Sequence, residues 1–350
     1  MSHDPAPLAH GGDLAAAARR FGVPPAGWLD LSTGINPVPY PLPGIAPETW
    51  ARLPQADAEE ALLVAARDCY GVPPTAAVVA APGSEALIRL LPRLRAPCRV
   101  AVVATTYADH AESWRAGGHE VRQAGSIAEI GDAEICIVVN PNNPDGRVLS
   151  HHELQSLAKT VAGRRGWLIV DEAFADMAPE TSIAGTAGRD GLVVLRSFGK
   201  FFGLAGLRLG FALTNAATGT AIAHALGPWA VSGPAMEIGA RALSDRDWIA
   251  RMRDRVAAAA SKLDKLLSGY GLKVIGGTAL YRLVATADAE ALHHGLATRG
   301  ILTRTFAGMP DRLRIGLPGE TAGFDRLGLA LGEIYSKTES AAPQNRSRAV

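Results

Sequence analysis

Three long apolar runs, each closing on polar residues, limit what this chain can fold into more than any other feature. Ile135-Cys-Ile-Val-Val139 leads into Asn-Pro-Asn-Asn-Pro-Asp-Gly146, Trp167-Leu-Ile-Val170 into Asp171-Glu172, and Leu192-Val-Val-Leu195 into Arg-Ser-Phe-Gly-Lys200. Such runs read as buried strands. Helical periodicity over 150–162 falls between the first two, and Arg99–Ala104 reads as a further strand upstream. This βαβ rhythm implies a mostly parallel sheet with right-handed crossovers, hence an α/β fold. In open sheets of that kind, ligands bind outside the carboxyl ends of the strands. The asparagine turn, Asp171 and Lys200 are therefore aimed at one crevice.

A lysine between two buried strands is costly to keep charged. Desolvation favours its neutral amine, the form that makes a Schiff base with a carbonyl substrate or with pyridoxal phosphate. Ser197 precedes Lys200 by one short turn and Arg208 follows it, so a hydroxyl and a guanidinium flank the amine. Upstream, Gly83, Ser84 and Glu85 open a helix after a short strand at 76–80. Taken alone, Ser84 reads as an ordinary N-cap. Beside Ser197 and Arg208 it reads as a phosphate seat, because N–H groups and the positive dipole end gather there.

The chain has 350 residues, 48% of them hydrophobic, enough for more than one domain. Its 35 basic and 34 acidic side chains leave a net charge of +1, which provides no footprint for nucleic acid or an anionic membrane. No apolar run reaches the roughly 18 residues of a membrane span, and the amino terminus has no signal pattern. A cytoplasmic protein acting on a small molecule is expected. Cys69, Cys98 and Cys136 lack metal-site spacing, and the adjacent His293 and His294 cannot share a helix face. No metal site is expected.

Helices are read at 13–21, 56–70, 216–226 and 245–267, and strands of an α+β layer at 272–275, 279–284 and 312–317. The proline-rich 37–47 segment reads as an extended arm without an obvious partner in its own fold. Residues 1–47 read as an amino-terminal arm and substrate-contact segment, 48–244 as a large domain and 245–336 as a smaller carboxyl-terminal domain that the amino-terminal arm joins. The polar stretch 337–350 reads as a disordered tail.

Asn-Pro-Asn-Asn-Pro-x-Gly, Asp-Glu-Ala-Phe, Ser-x-x-Lys and the arginine at Arg208 together resemble the pyridoxal-phosphate enzymes of aminotransferase fold type I, in the class I/II family. The likeness, in the histidinol-phosphate aminotransferase branch, runs from His10-Gly-Gly to Leu-Arg-Ile at Arg314. It implies pyridoxal 5'-phosphate held on Lys200, which afterwards moves the proton, with Asp171 on the pyridine nitrogen and Tyr107 stacked on the ring. Asn143 would bond the ring hydroxyl, and Gly83, Ser84, Glu85, Ser197 and Arg208 would seat the phosphate. Arg314 would grip a substrate carboxylate.

Two departures stand out. Phe174 replaces a common tyrosine, and Arg52-Leu-Pro-Gln55 lacks the tyrosine that relatives contribute across a dimer. His10-Gly-Gly, the Ser32-x-x-Ile35-Asn36-Pro37 element and Phe174 resemble the threonine-phosphate decarboxylases of cobalamin synthesis. That likeness implies a phosphorylated amino acid as substrate, with His10, Asn36 and Arg304 toward its phosphate and Arg147 a weaker candidate. Decarboxylation is expected, histidinol-phosphate transamination is the alternative, and a ligand sensor without turnover is an alternative of another class. The family's two-fold assembly, with the partnerless arm, implies a homodimer.

Overall fold

The structure is a computed structural model describing residues 11–340. It divides into two compact units, Val38–Val256 and the pairing of Met1–Pro37 with Ala257–Val350. His10, and 341–350 of the expected tail, lie outside the described residues.

The Val38–Val256 unit is built on a seven-stranded sheet in the order Ala77–Ala81, Gly210–Thr214, Leu192–Ser197, Trp167–Asp171, Ile135–Val139, Arg99–Val103, Glu120–Ala124. Gly210–Thr214 runs against both its neighbours and the remaining pairs are parallel. The apolar runs are strands because their Val, Ile and Leu side chains are buried along the whole length, as at Ile135–Val139. Asp171 and Ser197 thus emerge at the carboxyl ends of adjacent strands.

The helices Ala56–Tyr70 and Ala216–Leu226 match the periodicity. Gly71, at φ 63° in the left-handed region, ends the first. Ser150 and Glu153 form a capping box on His151–Ala162.

Several readings need correction. Gly233–Ser244 is a helix that none of the helices read from the sequence covers: Ser232 caps it and Pro234 sits in the first turn, where its missing N–H costs nothing. Ser84 is the first helical residue, behind Gly83. The proline-rich arm has partners in its own unit: the Tyr40 N–H donates to the Phe202 carbonyl at 2.8 Å and its hydroxyl to Asp245 at 3.3 Å. By its contacts the chain divides after Pro37 and again after Val256.

In the other unit, Leu29–Asp30 pairs in parallel with Ile301–Leu302. An antiparallel four-stranded sheet follows the order Arg304–Phe306, Met309–Gly316, Tyr281–Ala285, Lys273–Thr278. On the Ala289–Ala297 helix, His293 is buried with Nδ1 2.9 Å from the Thr303 hydroxyl, while His294 is exposed. The last helix, Thr321–Ser340, extends into the segment read as tail.

Candidate active site

Lys200 sits in a single helical turn, Phe198–Phe201, that directly follows the Leu192–Ser197 strand. It is half-buried, with Nζ 5.7 Å from the centroid of the buried Phe174 ring. A ring face with no hydroxyl therefore lies beside the amine.

Asp171, 3% exposed, ends the neighbouring strand. Its Oδ1 accepts from the Ala173 N–H at 3.0 Å, and its Oδ2 lies 2.9 Å from Nε2 of the equally buried His110. Both oxygens are thereby oriented. Sequence reasoning missed His110, which lies in the first turn of the Ala108–Ala116 helix, three positions after Tyr107. Its signal was the Tyr-Ala-Asp-His spacing, which places both rings over one helix start; the rings meet edge-on at 6.2 Å.

An anion cradle forms where Pro82–Glu85 crosses the Gly210 strand end. Gly83 has a φ of +89°, a conformation that favours glycine, and Arg208 Nη2 lies 2.8 Å from where a Cβ would stand. A Cβ on Gly210 would overlap the Ser84 nitrogen. Arg208 is exposed, has a left-handed backbone and donates to the Ala205 carbonyl at 3.2 Å. Ser197, 9% exposed, occupies the N-cap position before the Lys200 turn. The Glu85 side chain is engaged elsewhere, accepting from Arg89 at 2.6 Å and from the Tyr107 hydroxyl at 3.3 Å. Only its backbone N–H remains suited to an anion. Burial raises both the Glu85 carboxyl and the Tyr107 hydroxyl.

The asparagine loop is fixed by its buried members. Asn140 donates to the Thr181 carbonyl at 3.1 Å and accepts from the Leu149 N–H at 2.8 Å; Asn142 donates to the Thr105 carbonyl and Asp145. Asn143 is half-buried between them and the solvent-facing Arg147. These residues bring together an amine, an oriented carboxylate, an aromatic ring, an amide and a set of anion donors. They suit a planar aromatic ligand with a carbonyl and a phosphate. Among the described residues, no cluster of His, Cys, Asp or Glu could hold a metal.

Behind this face lies a second charged group. Arg196 donates to Glu172 at 2.8 Å and also bonds Asp176, all three buried, with the Tyr70 ring centroid 4.3 Å from the guanidinium carbon. Strand residues alternate faces, so Glu172 and Arg196 bind on the side opposite Asp171 and Ser197.

In the other unit, Arg314 is 7% exposed and donates to the Ser32 carbonyl at 2.7 Å. The Ser32 side chain donates to Asp30 at 2.5 Å and accepts from the Gly12 N–H at 2.8 Å. Tyr281 and Phe306 place ring centroids 4.9 and 5.9 Å from the Arg314 guanidinium. Arg304 is its cross-strand partner, itself 5.8 Å from the Phe306 centroid. Asn36 is buried in the same unit. Burial lowers Arg314 to about 10, so it stays cationic at neutral pH.

Residues 46–327 match the sequence profile of the family described as Aminotransferase class I and II. The chain belongs to that family. Among its members, a threonine-phosphate decarboxylase of Pseudomonas aeruginosa is 47% identical over 93% of this chain and 97% of its own length. A second threonine-phosphate decarboxylase, from Sinorhizobium sp., is 44% identical over 94% of this chain and 99% of its own. The histidinol-phosphate aminotransferase from Sinorhizobium meliloti, solved in complex with pyridoxal-5'-phosphate, superposes with a TM-score of 0.76 at 19% identity. That superposition covers 95% of this chain and 96% of the other, and it shows a shared class I and II aminotransferase fold.

Proposed function

We infer that the chain is a pyridoxal-phosphate-dependent carboxy-lyase. It converts L-threonine O-3-phosphate to (R)-1-amino-2-propanol O-2-phosphate and carbon dioxide, a step of cobalamin biosynthesis. The observation that carries this reading is near-full-length identity of 47% and 44% to two threonine-phosphate decarboxylases.

The residues fit the cofactor by their chemistry and by the close backbone approach at Gly210, where a Cβ would overlap the Ser84 nitrogen. Lys200 is the amine that would hold it. Ser84, Ser197, Arg208 and the N–H groups of Gly83, Ser84 and Glu85 would take its phosphate, Asn143 its ring hydroxyl and Tyr107 its ring face. When bound, pyridoxal phosphate supplies the electron sink that lets a bond at the substrate Cα break.

The chain's own groups do the rest. Asp171 holds a proton at the pyridine nitrogen, and His110, bonded to its far oxygen, keeps that carboxylate oriented. Lys200 delivers a proton to Cα once the carboxylate has left. Arg314 binds the substrate carboxylate through its planar fork; Arg304, Asn36 and His10 are assigned the substrate phosphate. Gripping both anions fixes which bond to Cα breaks, and that choice separates decarboxylation from transamination.

The same reading makes the enzyme a cytoplasmic homodimer. Three free cysteines agree with a reducing compartment. The large unit exposes Leu42, Trp50, Leu53 and Trp229, at 66%, 67%, 59% and 58%, apolar surface of the kind a second copy covers. Sedimentation of a fully active monomer would refute the dimer. The functional test is conversion of threonine phosphate to the amino alcohol phosphate by the purified protein. Lys200→Ala is expected to abolish turnover and the absorbance band near the visible edge; an unchanged spectrum in that variant would refute the assignment of Lys200.

A further inference from the structure

The turn that carries Lys200 cannot hold its own shape. It is four residues long, and an isolated helical turn fixes more backbone than its hydrogen bonds return. Its order must come from its neighbours. Phe198, Phe201 and Phe202 are 0%, 1% and 1% exposed, so their burial anchors the turn.

Those rings are clamped from outside. Phe198 stacks on Phe202 at 4.3 Å and 9°. Trp248, near the start of the Arg246–Gly269 helix, stacks on Phe202 at 5.5 Å and 12° and meets Phe201 edge-on at 5.6 Å. Tyr40 closes the circuit: its ring lies edge-on to Trp248 at 5.1 Å, its N–H binds the Phe202 carbonyl, and its hydroxyl donates to Asp245. Asp245 in turn accepts from the Trp248 N–H at 2.9 Å. Every member of the circuit is buried or hydrogen-bonded to another, and none of the site chemistry described above uses Trp248 or Tyr40.

We propose that Trp248 is a positioning residue: stacked on Phe202 and braced by Tyr40 and Asp245, it fixes the turn from which Lys200 reaches its substrate. The inference rests on Lys200 being the reactive amine. Flat, rigid rings are suited to this task because they lose little side-chain entropy and resist shear once stacked. An aliphatic side chain of similar bulk fills the space without transmitting orientation.

The test compares Trp248→Leu with Trp248→Phe in the full chain. In protein without added cofactor, amide exchange across 198–202 is expected to accelerate about tenfold in Trp248→Leu. In loaded protein, the pH midpoint of the Lys200-dependent band should shift, and kcat should fall about tenfold with KM little changed. Trp248→Phe should restore all three. Parental exchange and midpoint in Trp248→Leu, or equal losses in both variants, would overturn the proposal. If Trp248→Leu does not fold, Tyr40→Phe decides: a shifted midpoint together with faster exchange across 198–202 supports the clamp, and a parental midpoint and exchange overturn it. A parent protein lacking any lysine-dependent band sinks the cofactor reading instead, and the exchange measurement still decides the clamp.

Discussion

Arg196 and Arg314 are both buried arginines, one in each unit, and their surroundings give them opposite characters. Burial works to lower each. At Arg196 the carboxylates of Asp176 and Glu172 outweigh it and hold the group above its ordinary value. At Arg314 burial prevails and the group falls to about 10. Arg196 is a finished tie between strand ends, neutralised by its own chain. Arg314 donates to the Ser32 carbonyl and lies against the Tyr281 and Phe306 ring faces, contacts that fix the orientation of its fork. One arginine is spent on structure and the other is arranged to meet an anion.

This contrast can be broken by experiment. Arg196→Met should have the largest effect, a stability loss of about 3–5 kcal/mol in denaturant unfolding, because it strands two buried carboxylates. Arg314→Leu should lower kcat/KM for threonine phosphate by about a hundredfold, with the unfolding midpoint unchanged or raised. Loss of stability at Arg314, or loss of activity alone at Arg196, would reverse the assignment. Arg314→Lys is expected not to rescue activity, since a point charge cannot copy the planar fork.

His110→Phe keeps the edge-on packing beside Tyr107 but removes the nitrogen bonded to Asp171. A charged hydrogen bond is worth about 1.5–3 kcal/mol, so kcat should fall about tenfold to a hundredfold. The smallest effect concerns His293, which burial keeps below its usual 6.5. A base depressed in the fold contributes stability above the unfolded value, and that stability is lost as the pH falls below about 6.5. His293→Gln should flatten that part of the stability profile, measured by urea unfolding at several pH values.

The sequence made the large unit's skeleton legible because its strands are unbroken apolar runs and its helices carry clean periodicity. Polar residues at strand ends then marked Asp171, Asn143 and Lys200. Pairings made across the fold left weaker traces. His110 meets Asp171 across 61 positions, and Ser32 meets Arg314 across 282. Glu172 and Arg196 are immediate neighbours of site residues but bond on the other side of the sheet, and their pairing across 24 positions leaves no local pattern in the sequence. The Gly233–Ser244 helix was hidden by a Gly-Pro pair that also suits a first helical turn. Tyr40 lies in a proline-rich stretch whose composition says only that it is not helical, and its ring contacts are a tertiary matter.

The central claim is that this class I and II aminotransferase family member releases carbon dioxide from threonine phosphate. Purified enzyme loaded with pyridoxal phosphate should be incubated with threonine O-3-phosphate while evolved gas is measured, beside a parallel reaction of histidinol phosphate with 2-oxoglutarate. The account predicts carbon dioxide and amino alcohol phosphate in equal amounts from the first reaction and no glutamate from the second. Glutamate from the second with no gas from the first would contradict it.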